Sequence, residues 1–176
     1  MLVIGAKGGV GATRVARELV KAGDAIALDL ADGQLAARLE RTTWPLAWLA
    51  FVTPTQRRSM IETIVQRRFS LAWSPECGLK PAQAWAAVHE VAVRRPVIID
   101  GGIEPPDEAA QQADAIIIVS AETDVARWHT QRLSAQYPRA TVTLGTKDAA
   151  RTLAAQMFQV TAGVSNHHAK WQSSQA

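Results

Sequence analysis

The apolar run Leu2-Val3-Ile4 passes directly into Gly5 and then into Lys7-Gly8-Gly9-Val10-Gly11-Ala12-Thr13. An apolar run, a glycine-rich turn and a helical stretch in that order restrict this segment to a strand–loop–helix unit. The spacing also matches the phosphate-cradling pattern G-x-x-x-x-G-K-[ST], with Gly5 and Gly11 at the glycine positions and Thr13 at the hydroxyl position. Ala12 stands where that pattern has lysine. Glycines allow φ > 0 and a close backbone approach to an anion, and successive N–H groups then form an anion-binding concavity. The following helix, near 11–22, aims its positive end at the same spot. Gly8, Gly9, Val10, Gly11, Ala12 and Thr13 are therefore the candidate nucleotide-binding residues, with the Thr13 hydroxyl a candidate Mg²⁺ ligand. Ala12 has no charge to offer the β- and γ-phosphates. A turn made only for tight packing would use the same glycines, but the threonine and helix after it favour the anion.

The rest of the chain alternates. Apolar strands are predicted near 1–5, 25–30, 69–73, 96–100, 115–120 and 140–145, and helices near 11–22, 56–67, 81–94, 107–113, 124–136 and 147–157. Continuous apolar runs such as Ile116-Ile117-Ile118-Val119 suit parallel strands covered on both faces. The expected fold is thus α/β, a doubly wound and mainly parallel sheet with helices on both faces. Ligands of such sheets bind at the carboxyl ends of the strands, where the glycine-rich loop, Asp29 and Asp100 would converge. Asp29 and Asp100 each end an apolar strand and are candidate metal ligands, although an Asp-Gly turn would account for Asp100 as well.

Lys7-Gly8-Gly9-Val10-Gly11 resembles the deviant Walker A loop, K-G-G-x-G-K-[ST], of the MinD/ParA family of P-loop ATPases. Ala25-Ile26-Ala27-Leu28-Asp29 is similar to that family's second strand, Pro96-Val97-Ile98-Ile99-Asp100-Gly101-Gly102 to its Walker B strand, and Ala113-Asp114-Ala115-Ile116-Ile117-Ile118-Val119-Ser120 to its A-D-x-I-x-V-V strand. Phe69-Ser70-Leu71-Ala72-Trp73-Ser74-Pro75-Glu76 resembles a strand of the pilus-associated CpaE/TadZ branch. The likeness spans about residues 1–145. It implies ATP or ADP with Mg²⁺ as ligands and a face-to-face homodimer in which Lys7 matches the signature lysine that crosses to the partner's nucleotide. Lys7 and Asp32 are then the candidate catalytic residues. The departures are as informative. Ala12 replaces the Walker lysine, Ala31 takes the place of the second aspartate of D-x-D, and Asp32 falls one residue late. Thr146-Lys147-Asp148 is one residue short of a guanine-reading T-K-x-D. The resemblance therefore implies weak nucleotide binding, little or no hydrolysis, and a role in positioning or assembling a pilus, secretion or polar apparatus through protein partners. An active ATPase in which Lys7 replaces the lost lysine, and a DNA-partitioning protein, are the alternatives.

Composition sets the remaining bounds. At 176 residues with 48% hydrophobic and 20% charged content, one globular domain is expected over 1–160, followed by a polar tail over 161–176. A single cysteine, Cys77, excludes an internal disulfide framework. No apolar run approaches the ~20 residues of a membrane span. The start lacks the basic segment of a secretory leader, and the tail lacks an apolar face, so a cytoplasmic protein without a stable membrane anchor is expected. The net charge of +3 is carried by fourteen Arg and five Lys, with pairs at Arg57-Arg58, Arg67-Arg68 and Arg94-Arg95. Helix-end electrostatics account for the latter two pairs, and a scattered basic face for non-specific DNA is the sharper alternative. The stretch Thr43 to Val52, with Trp44 and Trp48, is apolar at nearly every position. It is expected either to tuck onto the core or to offer a partner surface.

Overall fold

The apolar runs become the strands of one parallel sheet. The computed structural model describes residues 1–31, 33–73 and 80–158. In chain order the elements are β1 (Leu2–Gly5), α1 (Ala12–Ala22), β2 (Ile26–Asp29), α2 (Gln34–Leu39), β3 (Thr43–Pro45), α3 (Ala47–Ala50), α4 (Pro54–Arg67), β4 (Ser70–Ala72), α5 (Pro81–Ala92), β5 (Val97–Asp100), α6 (Asp107–Gln112), β6 (Ile116–Ser120), α7 (Asp124–Gln136) and β7 (Thr141–Leu144). A further helix, α8, occupies 147–158. The seven strands pair in the order β3-β4-β2-β5-β1-β6-β7, and every pairing is parallel.

Alternation along each strand explains why both faces are covered. Leu2, Ile4, Ile26, Leu28, Leu71, Val97, Ile99 and Ile118 point to one face, where Leu46, Leu49, Ile61, Ile64, Trp85 and Val91 of the α3–α5 region close over them. Val3, Ala25, Ala27, Ile98, Ile117 and Val119 point to the other, against Val15, Leu19 and Val20 of α1, Leu35 of α2, and Ala150 and Leu153 of α8. Most of the larger side chains are fully buried, and each contributes roughly 1.5–3 kcal/mol of transfer free energy.

Local chemistry places the helix ends. The Val15, Ala16, Leu19 and Val20 stripe of α1 is buried, and the Gly23 N–H closes the helix onto the Leu19 carbonyl at 2.9 Å. Helix α4 starts on a capping box of Thr53 and Gln56, with Pro54 in its first turn.

The structure adds three elements that the periodicity does not predict: α2, β3 and α3. All are short, and their patterns fall below the window in which a period is readable. Within the Trp44–Val52 stretch the two expectations divide by residue. Leu46 and Leu49 are each 1% exposed, while Trp48 is 52% and Phe51 73% exposed. Half-buried Trp44 stacks on Phe69 with centroids 5.2 Å apart and meets Trp48 edge-on at 5.7 Å. Among the described residues, no helix is long and apolar enough to cross a membrane.

Candidate functional site

β1 lies between β5 and β6, so the loop that leaves it is anchored on both sides. The Gly5 N–H donates to the Gly102 carbonyl at 2.7 Å and the Ala6 N–H to the Val119 carbonyl at 2.8 Å. Gly9 and Gly11 then take φ of +75° and +97°, values that a Cβ would strain. The turn reverses over Val10, which is 7% exposed and belongs to the core. Among the described residues, no backbone N–H from Gly8 through Arg14 donates to a backbone carbonyl; the first bond of α1 runs from the Val15 N–H to the Gly11 carbonyl at 3.1 Å.

These groups border a cavity of about 510 Å³ at the carboxyl ends of the strands. Lys7, Gly8, Gly9, Val10, Gly11, Ala12 and Thr13 all line it, and so does Asp100, which is 1% exposed at the end of β5. The Gly102 N–H donates to Asp100 Oδ1 at 3.3 Å. The cradle, the Thr13 hydroxyl and the Asp100 carboxylate fit a Mg²⁺-bound phosphate chain in kind and number. Among the described residues no three His, Cys, Asp or Glu side chains gather as a cation site.

Asp29 is placed differently. It is the register neighbour of Asp100 on the adjacent strand, but its carboxylate turns into the start of α2. Oδ1 accepts from the Ala31 N–H at 3.0 Å and the Gly33 N–H at 3.2 Å, and Oδ2 from the Leu35 N–H at 2.9 Å. These oxygens hold the turn that enters α2 and the first-turn N–H of Leu35, and of the two strand-end aspartates it is Asp100 that lines the cavity. Asp32 lies outside the described residues, as do Ser74 to Glu76, Cys77 and the tail. Ala31 does line the cavity. Thr146 is the N-cap of α8: the Ala149 N–H donates to its hydroxyl at 3.3 Å and the Ala150 N–H to its carbonyl at 3.1 Å.

Three charged wall residues carry no motif: Arg14, Arg38 and Glu104. Arg14 follows the threonine directly and donates from Nη1 to the Gly145 carbonyl at 3.0 Å. Gly145 is pressed against the glycine-rich loop, and a Cβ there would overlap the Val10 carbonyl oxygen. On that side a second cavity, of about 400 Å³, adjoins the first; the two share Gly9, Val10 and Arg14, and it continues to Ser120–Glu122 and Leu144–Lys147. Four of the six arginines in the pairs elsewhere meet carboxylates. Arg57 meets Glu90 at 3.1 Å, Arg58 meets Glu62 at 3.6 Å, and Arg68 and Arg95 share Asp24 at 2.8 and 2.9 Å.

No family model matches the chain. No curated protein matches it significantly by sequence. Solved structures do match. A ParA family ATPase from Chlorobium tepidum TLS superposes with a TM-score of 0.63 at 18% identity, over 81% of this chain and 70% of its own. The MinC:MinD cell division protein complex of Aquifex aeolicus gives a TM-score of 0.53 at 17% identity, over 81% of this chain and 65% of its own. At that identity the likeness establishes architecture alone, and the seven-stranded parallel sheet with its glycine-rich loop after the interior strand β1 has the fold of ParA- and MinD-type P-loop ATPases.

Proposed function

We propose that the chain is a degenerate P-loop protein that binds ATP or ADP with Mg²⁺ weakly and hydrolyses little or none of it. It acts as a homodimeric component in positioning or assembling a cellular apparatus such as a pilus, a secretion system or a polar complex. One observation carries the reading: the backbone cradle is intact, while alanine lines the cavity at both position 12 and position 31. Phosphoryl transfer depends on positioning and on charge stabilisation. The cradle retains the first of these and has lost the lysine of the second. Bound Mg²⁺ would supply charge neutralisation at the phosphates, with the Thr13 hydroxyl and Asp100 as the side chains to hold it, directly or through water. The exposed Trp48 and Phe51 offer aromatic anchors for an assembly contact, and the MinD neighbour was solved together with a second protein.

Calorimetric titration of nucleotide-stripped protein with Mg-ATP and Mg-ADP tests the binding. Loss of a charge-assisted phosphate contact lowers affinity roughly 10- to 100-fold, so dissociation constants on the order of tens of micromolar or weaker are expected. Submicromolar affinity at physiological salt would overturn the reading of Ala12. Light scattering over a concentration series tests the assembly, for which a dimer indifferent to ATP is expected and a strict monomer would count against it.

A second reading, a working ATPase that uses Lys7, is favoured by one feature. Lys7 lines the cavity, and its ammonium makes no hydrogen bond or ion pair among the described residues. Turnover at ordinary rates that Lys7→Ala abolishes would put this reading in place of the first.

A further inference from the structure

We propose that Arg38, carried on α2, is the cation that grips the terminal phosphate of a nucleoside triphosphate, the task for which Ala12 leaves no side chain. The inference rests on the nucleotide reading above and adds to it which residue reads the length of the phosphate chain.

Strand order fixes the layout. Above β6 and β7 lies the second cavity, bordered by Arg14. Above β1 lies the glycine-rich cradle, above β5 the Asp100–Glu104 turn, and above β2 the wall formed by Leu30, Ala31, Gln34 and Arg38. A nucleoside seated in the second cavity sends its phosphates across the cradle and toward α2. Arg14 therefore stands at the near end of the phosphate chain and Arg38 at the far end. Lys7 belongs to the loop between them.

The placement of Arg38 is built rather than incidental. Asp29 ties three backbone N–H groups at the start of α2, and Leu35 and Ala36 bury the helix's inner side at 0% and 3% exposure. Gln34 and Arg38, four residues apart, share the cavity side, and Arg38 Nη2 donates to Gln34 Oε1 at 3.0 Å. Among the described residues that bond engages one of the five guanidinium donors and leaves others for a phosphate fork. Ala31 supplies no carboxylate to compete for the guanidinium. It also packs closely under the turn, where a Cβ on Gly102 (φ +65°) would come within 3.2 Å of its own. Of the wall residues, Asp100 and Glu104 are acidic and Lys7, Arg14 and Arg38 basic. Arg14 is already bonded to Gly145, so Arg38 is the guanidinium positioned for the far end.

Calorimetry on the nucleotide-stripped full chain at fixed low ionic strength tests this, with Mg²⁺ complexes of ATP, ADP, tripolyphosphate and pyrophosphate as probes. For Arg38→Ala, affinity for ATP and tripolyphosphate should fall about tenfold, while ADP and pyrophosphate stay within about twofold of the parent. Arg38→Lys should recover part of the loss, because a point charge replaces a fork. Far-ultraviolet circular dichroism and the unfolding midpoint should not move, since Arg38 is exposed. An equal fall for ATP and ADP would overturn the assignment to the terminal phosphate, and no fall for any probe would overturn a role for Arg38. A parent chain that binds none of the four probes would instead refute the nucleotide reading itself, a result seen before any variant is made.

Discussion

Replacing Asp29 separates two roles that its position at the end of β2 leaves open, metal ligand and helix cap. Asp29 is 4% exposed, and among the described residues its carboxylate accepts three backbone N–H bonds, at 3.0, 3.2 and 2.9 Å. Ala31 and Gly33 are exposed, so their N–H groups can turn to water in Asp29→Ala, and each lost bond then costs about 0.5–1.5 kcal/mol. The Leu35 N–H is buried with its residue and has no such recourse; orphaning it costs about 1–3 kcal/mol. The sum is about 4 kcal/mol, a large fraction of the ~5–15 kcal/mol by which domains of this size are stable. Asp29→Asn preserves the shape. One amide oxygen can hold two of the donors, but the amide nitrogen then faces the third, so roughly 2 kcal/mol should be lost.

The assay is urea unfolding in EDTA without nucleotide, where a metal-binding role contributes nothing. A capping role predicts that both variants are destabilised there, Asp29→Ala more than Asp29→Asn. It also predicts protection from amide exchange to be lost first in α2. Removing a metal-binding carboxylate would instead leave the metal-free protein as stable as before. If both variants unfold at the parent's urea concentration, the capping argument is wrong, and with it the account of how α2 and Arg38 are held.

Three further perturbations read other parts of the site. Ala12→Lys should tighten Mg-ATP binding roughly 10- to 100-fold by calorimetry, and Ala31→Asp added to it should bring measurable phosphate release; an unchanged affinity would show that the cradle does not hold phosphate as proposed. Gly145→Ala drives a Cβ into the Val10 carbonyl and should cost about 1–3 kcal/mol in denaturant unfolding while weakening nucleotide binding; a parent-like variant would mean that the loop yields freely. At Glu18, the hydrogen bond from Arg17 at 2.7 Å, helped by Arg151 at 3.8 Å, holds the carboxyl below the ordinary glutamate value. Its stabilisation is complete above the usual pKa of 4.5 and is lost as pH falls through the lowered native value, so Glu18→Gln should cost up to about 1 kcal/mol near pH 7 and nothing at strongly acidic pH.

What was legible in the sequence follows from where the physical signal is strong. β1, β2, β5 and β6 are continuous apolar runs because they lie inside a sheet covered on both faces, and α1 and α7 are long enough to show a stripe. Gly9 and Gly11 mark the tight turn after β1 because positive φ favours glycine. In contrast, α2 has six residues and β3 three, too few for a period. β3 is held by pairing with β4 and by the Trp44–Phe69 stack, a contact between residues far apart in the chain. Strand-end position alone points Asp29 at the cavity, while its partners, the N–H groups of Ala31 and Gly33 in the turn and of Leu35 in α2, belong to a segment that the pattern does not reveal. Arg38 was hidden for the same reason: a lone arginine on a six-residue helix carries no motif, and only strand order brings it to the cavity. The site's sequence signature thus lies in the backbone that β1 and α1 dictate locally, while the charges that would act on a ligand come from α2, α1 and the β5–α6 turn and meet only through the fold. A degenerate motif is consequently a statement about one loop. Whether the cavity has lost its cation or has recruited another from across the sheet is decided at α2, which is where Arg38→Ala and Asp29→Asn probe it.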